Sequence, residues 1–461
     1  MKHSRAEARA RYHSLPRLQF EAQALTPYGG LVLVQALFAR LDLKARLQRC
    51  FAHRDAGAIF GHHVVFLFLI VHLLLGHRRL RDRDYYEEGG GCSRPARAGT
   101  ASPCRCVDAF SFSARCRRAH SGARQASEPR LVLDRVESEA FSRITLDFDG
   151  SVLSTQRHAE GTAVGFNRKR RGARSYYPLF CTVAQTAQFL DVHHRPGNVH
   201  DSNGAPDFIQ SCVEAVRSRR PPARIEGRMD SAFFSGALLE QLDEQRVEFT
   251  TSVPFERLAE LKAIIEKRKR WRTIDPQWQS FEMRWKPKRW PRKWRFICVR
   301  QLMPERCRAP LQLDLFEPVD SVARFTVIVT NKRGRAKSLI QFHHGRGSQE
   351  GLFAEAKSCA QMDYIPVRTL HGNQLYQQAA LFAHNLTKEI QMQTQPERRP
   401  ASASRHALWE FLSLRTFRSR FLLRAARLTR PQNQLTLTLN ANEIVQEAIE
   451  GMLEKLVPDL A

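Results

Sequence analysis

The stretch Ile144-Thr145-Leu146-Asp147-Phe148-Asp149-Gly150-Ser151 narrows the possible folds more than any other part of the chain. Apolar and polar residues alternate, so a strand of period two puts Ile144, Leu146 and Phe148 on one face and Thr145, Asp147 and Asp149 on the other. Two acids side by side on one strand face repel unless a cation lies between them. Such a strand needs an apolar layer on one side and positive charge on the other. The following residues extend the pattern. Strands are predicted over 177–183 and 189–194, then a turn at Arg195-Pro196-Gly197-Asn198 and a helix over 207–216. A strand over 223–229 leads into Asp230, Ser235 is placed to cap a helix over 236–243, and 247–253 is β-branched. The order β, β, β, α, β, α, β predicts a mixed α/β domain with acids at strand ends.

The charge says what such a domain meets. Lys and Arg total 73 against 46 acids, a formal net charge of +27, and an excess of that size implies a polyanionic partner. It is concentrated after the α/β segment: 267–308 holds fifteen Lys/Arg and three acids, together with Trp271, Trp278, Trp285, Trp290 and Trp294. Basic residues interleaved with indoles suit a groove that tracks phosphates while rings stack on bases, although tryptophans also anchor small β-cores. Beyond this segment 325–330 is strand-like, 374–391 and 409–427 are predicted helices, 434–439 alternates as a strand, and 442–456 is a closing helix.

One further stretch carries chemistry. From His343 to Lys357 the chain reads as an amphipathic helix with Arg346, Glu350 and Lys357 on one face and Leu352, Phe353 and Ala356 toward a core. Asp149, Asp230 and Glu350 are then three acids at element ends of one α/β region, 81 and 120 residues apart. Carboxylates from separate elements can hold two Mg²⁺ ions about 4 Å apart for in-line displacement at phosphorus. The cysteines lack paired metal-ligand spacing.

At these residues the chain resembles a DDE transposase of bacterial insertion sequences, with an RNase H-like catalytic core. More narrowly, it is similar to the cut-and-paste branch that forms DNA hairpins and carries a Tyr, Arg, Glu, Lys signature with two, three and six residues between members. Arg346, Glu350 and Lys357 fit the last three positions, and His343 stands at the tyrosine position. The blocks 146–151 (LDFDGS), 172–179 (GARSYYPL), 195–199 (RPGNV), 227–235 (GRMDSAFFS) and 378–386 (QAALFAHNL) carry the likeness further. The resemblance implies Asp149, Asp230 and Glu350 as catalytic and metal-binding acids, with Asp147 the alternative first acid. It implies Mg²⁺ (or Mn²⁺) as cofactor, with Arg346, Lys357 and His343 on the DNA backbone near the scissile phosphate. Trp271, Trp285, Trp290, Trp294, Lys286 and Arg289 are the expected DNA contacts of the basic segment. The partners expected are double-stranded DNA, as element ends and target, and a second copy of the chain on paired ends. The alternatives are a metal-dependent nuclease without strand transfer and an inactive DNA-binding remnant.

The expected architecture is an RNase H-like mixed sheet with helices on both faces, interrupted by a basic β-rich insertion and preceded by a small all-α domain. The divisions are a helical, DNA-end-binding region over 1–87, an anomalous segment over 88–127, the first part of the core over 128–254, the insertion over 255–320, the second part of the core over 321–395, and a basic C-terminal segment over 396–461. Residues 88–127 hold seven Arg, no Lys, four Cys, one Val and no Leu, Ile or Met, a mixture that cannot fill a core. It reads as a disordered basic linker or as a stretch translated out of frame, the second being favoured because both flanks are well patterned. The apolar run 64–75 falls short of the ~20 residues of a membrane span and is expected as a buried helix. With no signal peptide legible, a cytoplasmic, nucleoid-associated protein with no membrane partner is expected.

Overall fold

The computed structural model describes residues 23–52, 61–83, 130–302 and 323–458, apart from 157, 168, 201, 202, 398 and 400–408. The readings made on 88–127 and 303–322 lie outside these residues.

Nine strands form one sheet, numbered in chain order: β1 Arg143–Gly150, β2 Leu179–Val183, β3 Gln188–His193, β4 Arg224–Met229, β5 Glu248–Ser252, β6 Arg272–Asp275, β7 Trp278–Trp285, β8 Trp294–Leu302 and β9 Ala323–Thr330. Their lateral order is β6-β7-β8-β9-β5-β4-β1-β2-β3. The centre, β1, β4 and β5, is parallel. β2 and β3 continue it as an antiparallel meander on one side. On the other side β9 turns antiparallel against β5, and β8, β7 and β6 follow as an antiparallel ladder. The basic insertion is therefore β-rich as expected, and its strands prolong the same sheet: β8 pairs with β9 from Arg295↔Thr330 to Leu302↔Ala323.

The helices are α1 Leu31–Arg40, α2 Leu43–Phe51, α3 His62–Leu74, α4 Arg130–Ser138, α5 Ala205–Arg219, α6 Gly236–Glu244, α7 Ala259–Glu266, α8 Ala336–His344, α9 Gly347–Cys359, α10 Leu370–Thr394 and α11 Glu443–Leu456. Period-two alternation sorts them onto two faces. Ile144, Leu146 and Phe148 of β1 join Val132 of α4, Val213 of α5, Leu239 of α6 and Leu261 of α7 in one core. Phe180 of β2 and Phe189 of β3 point the other way, into a second core with α1, α3, α9, α10 and α11. This is the predicted mixed α/β fold with helices on both faces.

The apolar run at 64–75 is core. Within α3, Phe66, Leu69, Ile70, Leu73 and Leu74 are buried in the cluster that also holds Tyr376, Ala380 and Ala383 of α10. No helix among the described residues is long and apolar enough to cross a membrane. The span 409–427 departs from its expected single helix. Leu414–Phe417 and Arg418–Leu422 are helical, the second as a π-turn, and Ala426–Thr429 is a strand paired with Thr436–Leu439 and Leu25–Thr26. Tertiary contact overrides local propensity here: the Arg418 guanidinium donates to the carbonyls of Leu73, Leu74 and Cys359, and strand pairing takes the residues beyond.

Candidate active site

Parallel pairing brings two of the acids together. β1 and β4 run in register through Phe148↔Met229, so Asp149 and Asp230 leave the sheet side by side at the carboxyl ends of neighbouring strands. Adjacent strands lie about 4.8 Å apart, which suits carboxylates that share a cation. Asp149 Oδ1 accepts from the Gly150 amide at 2.8 Å, and its Oδ2 accepts from Arg346 Nη1 at 3.2 Å. Asp230 caps a single 3₁₀ turn, its Oδ1 accepting from the Ala232 amide at 2.9 Å.

Asp147 shares the face of Asp149 and has a different environment. It is 1% exposed, and its two oxygens take the Arg228 guanidinium at 2.5 and 2.6 Å. Burial pushes its carboxyl above the usual carboxylate range, and the charges of Arg228 and then Arg346 oppose this. Arg228 is the cation that the acid-bearing strand face demanded. A carboxylate held bidentate inside the sheet is turned away from solvent, whereas Asp149 at the strand end is partly exposed.

The signature stretch is two helices rather than one. α8 ends at His344 and α9 begins at Gly347, with Gly345 and Arg346 between them. Arg228 Nη1 donates to the Phe342 carbonyl at 3.0 Å, and a Cβ on Gly345 would lie 2.2 Å from that nitrogen. The guanidinium of β4 thus occupies the joint. α9 is fixed at its start by Gln349, which is fully buried and donates through Nε2 to the Asp147 carbonyl at 2.9 Å and to Thr182 Oγ1 at 3.1 Å. Farther along, Lys357 Nζ donates to the Val152 carbonyl at 3.3 Å, and Glu355 accepts from Lys388 of α10 at 3.0 Å. Burial lowers the Lys357 pKa, with Lys169 lowering it further and Asp363 and Asp149 raising it.

Arg346, Lys357 and Asp149 are therefore brought to one place. Glu350 stands exposed on the first turn of α9, directly after the anchored Gln349. The donor chemistry, carboxylate oxygens at the ends of β1 and β4 and at the start of α9, fits a hard divalent cation. Among the described residues no three such side chains are already gathered into a metal cluster.

His343 is corrected by the helix break. It belongs to the last turn of α8, is 4% exposed, and has both ring nitrogens engaged, Nε2 with Ser252 Oγ at 2.8 Å and Nδ1 with Thr250 Oγ1 at 3.0 Å. Neither nitrogen is left for a phosphate. Burial first, then the charges of Arg346, His344 and Arg228, lower its pKa to about 3. His72 and His384 are likewise buried and His194 is half-buried, and each is lowered to about 4 mainly by desolvation. Because the folded values lie below the unfolded ~6.5, the unfolded chain takes up protons that the folded chain refuses. Stability is thus complete above about pH 6.5 and declines as pH falls toward 4, by up to about 1.4 kcal/mol per histidine per pH unit. A lower denaturant midpoint at pH 5.5 than at pH 7.5 is the expected result.

The insertion tryptophans are placed mostly in packing. Trp294 is 5% exposed under Arg292, whose Cζ is 3.7 Å from the ring centre. Trp285 meets Phe296, Trp290 meets Phe234, and Trp271 meets Phe281, all against the core on the face opposite Asp147. Trp278 lies on the other side, 5.0 Å from the His344 ring. Arg289 is exposed, and Lys286 Nζ donates to the Pro291 carbonyl at 3.2 Å. These ring contacts give the tryptophans a packing role, which the count of indoles among basic residues hid. Sequence reasoning also passed over Gln349 and Arg228. Gln349 shares a helical face with Phe353 and Ala356, and that spacing was the available signal.

A family model described as transposase DDE domain group 1 matches residues 11–459. Among solved structures, the chain is similar to a piggyBac transposase synaptic complex with hairpin DNA, at 11% identity and a TM-score of 0.43, covering 78% of this chain and 73% of that one. No curated protein matches the sequence.

Proposed function

The chain belongs to the transposase DDE domain group 1 family and is a DNA transposase, an enzyme whose family uses divalent metal ions; from that premise we propose that Asp149, Asp230 and Glu350 are its catalytic acids and hold Mg²⁺ (or Mn²⁺). The observation that carries this reading is the placement of Asp149 and Asp230 at the ends of paired parallel strands, with Arg346 already on Asp149. Bound there, the ions supply charge to the attacking and leaving oxygens at phosphorus. The chain's own residues supply the rest. Arg346 and Lys357 sit at the mouth of the site and bind the phosphates flanking the scissile bond. Gln349 holds the α9 backbone against β1, so that Glu350 is positioned before substrate arrives. Arg228 keeps Asp147 neutralised and locks the α8–α9 joint.

The reaction we propose is hydrolysis at the ends of the element, followed by transfer of the freed 3′-hydroxyl to target DNA, by two copies of the chain on paired ends. The exposed cations of the insertion, Arg289 among them, bind DNA phosphates, and the regional divisions drawn from the sequence carry these roles. A labelled end with a free 3′-hydroxyl, supplied with a target plasmid and Mg²⁺, should become joined to the plasmid. Cleavage of ends without any joining would instead identify a nuclease. Affinity for a 30-base-pair duplex should fall steeply with salt, with a log–log slope more negative than about −4, as phosphate neutralisation requires. A slope near zero would remove the basic insertion from the DNA interface.

A further inference from the structure

The connection from β1 to β2 leaves the sheet at the end that carries Asp149 and folds into its own small sheet, Leu153–Ser154, Arg174–Tyr176 and Ala163–Val164. Its base is anchored. Tyr176 is 1% exposed and its hydroxyl donates to the Glu160 carbonyl and accepts from Asn373 Nδ2 at 3.2 Å, while the Glu160 amide donates to the Arg368 carbonyl at 2.8 Å. Its outer part is held as well. The Phe166 amide donates to the Gly197 carbonyl at 2.9 Å, and Gly165 permits that approach, since a Cβ there would lie 2.2 Å from the same oxygen.

On this stiff support the side chains face outward. Phe166 is 47% exposed and is the one Phe, Tyr or Trp among the described residues that stands so open, with Val164 beside it at 51%. Lys169, Arg170 and Arg171 follow, all exposed. Lys357 Nζ donates to the Val152 carbonyl at 3.3 Å, at the root of this connection, which ties it to the site. The Phe166 ring lies 6.2 Å from Tyr177 and 5.9 Å from His200, a small aromatic platform with one open member.

We propose that the 162–176 hairpin grips unpaired DNA beside the cleavage site, with Phe166 stacking on a base and Lys169, Arg170 and Arg171 on the adjoining phosphates. The inference rests on Asp149 marking the active end of the sheet. An exposed phenyl ring among cations is unfavourable in water and suited to a nucleobase, whose π-face it can cover whatever the sequence. Duplex DNA presents no free base face, so single-stranded or frayed ends are the matching ligand.

The test uses the full chain in EDTA, so that binding is read without cleavage. The probe is a 20-base-pair duplex of arbitrary sequence with a four-thymidine single-stranded end carrying one 5-iodouracil. Near-ultraviolet crosslinking followed by peptide mapping should find the adduct in the peptide that contains Phe166. Phe166→Leu should lower the yield at least about fivefold, and Phe166→Trp should retain it, in line with the usual loss on removing a stacking ring. A fully paired duplex with the same modified base should leave this peptide unmodified. Equal adduct on the paired duplex, or a yield indifferent to Phe166→Leu, would overturn the proposal. Unchanged melting of the variants separates a lost contact from a lost fold. If Asp149→Asn abolishes Mg²⁺-dependent cleavage while the crosslink is absent, the hairpin proposal falls alone; if the crosslink maps here and Asp149→Asn cleaves normally, the reading of the acids falls instead.

Discussion

Asp149→Asn is expected to abolish DNA cleavage, lowering its rate by at least about 10³-fold, while leaving the folded protein close to wild-type stability. The removed charge is the one that Arg346 already finds at the end of β1, so the loss falls on cation binding and on the charge developing at phosphorus. Asparagine keeps the size of the side chain and can still accept the Gly150 amide, so the strand end is retained. The contrast is with Asp147, two residues earlier on the same strand face. Its carboxylate is enclosed with Arg228, and Asp147→Asn should act on stability. Rates of end cleavage and denaturation midpoints measured on both variants separate the roles. If Asp147→Asn abolished cleavage in a stable protein and Asp149→Asn kept it, the assignment would be reversed.

Arg228→Met should have the largest effect on folding, a destabilisation of about 3–5 kcal/mol, because it strands the Asp147 carboxylate inside the sheet without a partner. It also releases the Phe342 carbonyl and empties the space beside Gly345. Replacing the whole pair is far milder than breaking it, since neither charge is then left buried alone. The double variant Asp147→Leu with Arg228→Met is therefore expected to recover most of the lost stability. Chemical denaturation of the wild type, both single variants and the double variant yields the coupling energy directly. Additive losses would mean that the pair does not act as a unit.

The central strand was fully legible because its period of two assigns each side chain to a face, and an acid pair on one face demanded a cation. The sequence could not name that cation. Arg228 lies 81 residues away and becomes a neighbour only through the parallel pairing of β1 with β4. The signature helix misled for a similar reason. Spacing of four and seven placed Arg346, Glu350 and Lys357 together, but carrying the same helix back to His343 ignored Gly345 and Gly347, where the chain breaks. His343 then falls on α8 and turns toward Thr250 and Ser252. In the insertion, composition suggested open rings, whereas the structure buries Trp294 and leaves the other four half-buried against neighbouring rings. The open ring is Phe166, in a basic glycine-bearing stretch whose proximity to the site depends on the end of the sheet from which its loop emerges.

Mg²⁺-dependent cleavage is the most direct measurement of the central claim. The substrate is a labelled duplex built from the inverted repeats flanking the gene, with Glu350→Gln run beside the wild type. The account predicts cleavage by the wild type in Mg²⁺, none in EDTA, and none above background by Glu350→Gln although it binds the duplex with unchanged affinity. Cleavage by Glu350→Gln at the wild-type rate, or by the wild type in EDTA, would contradict it.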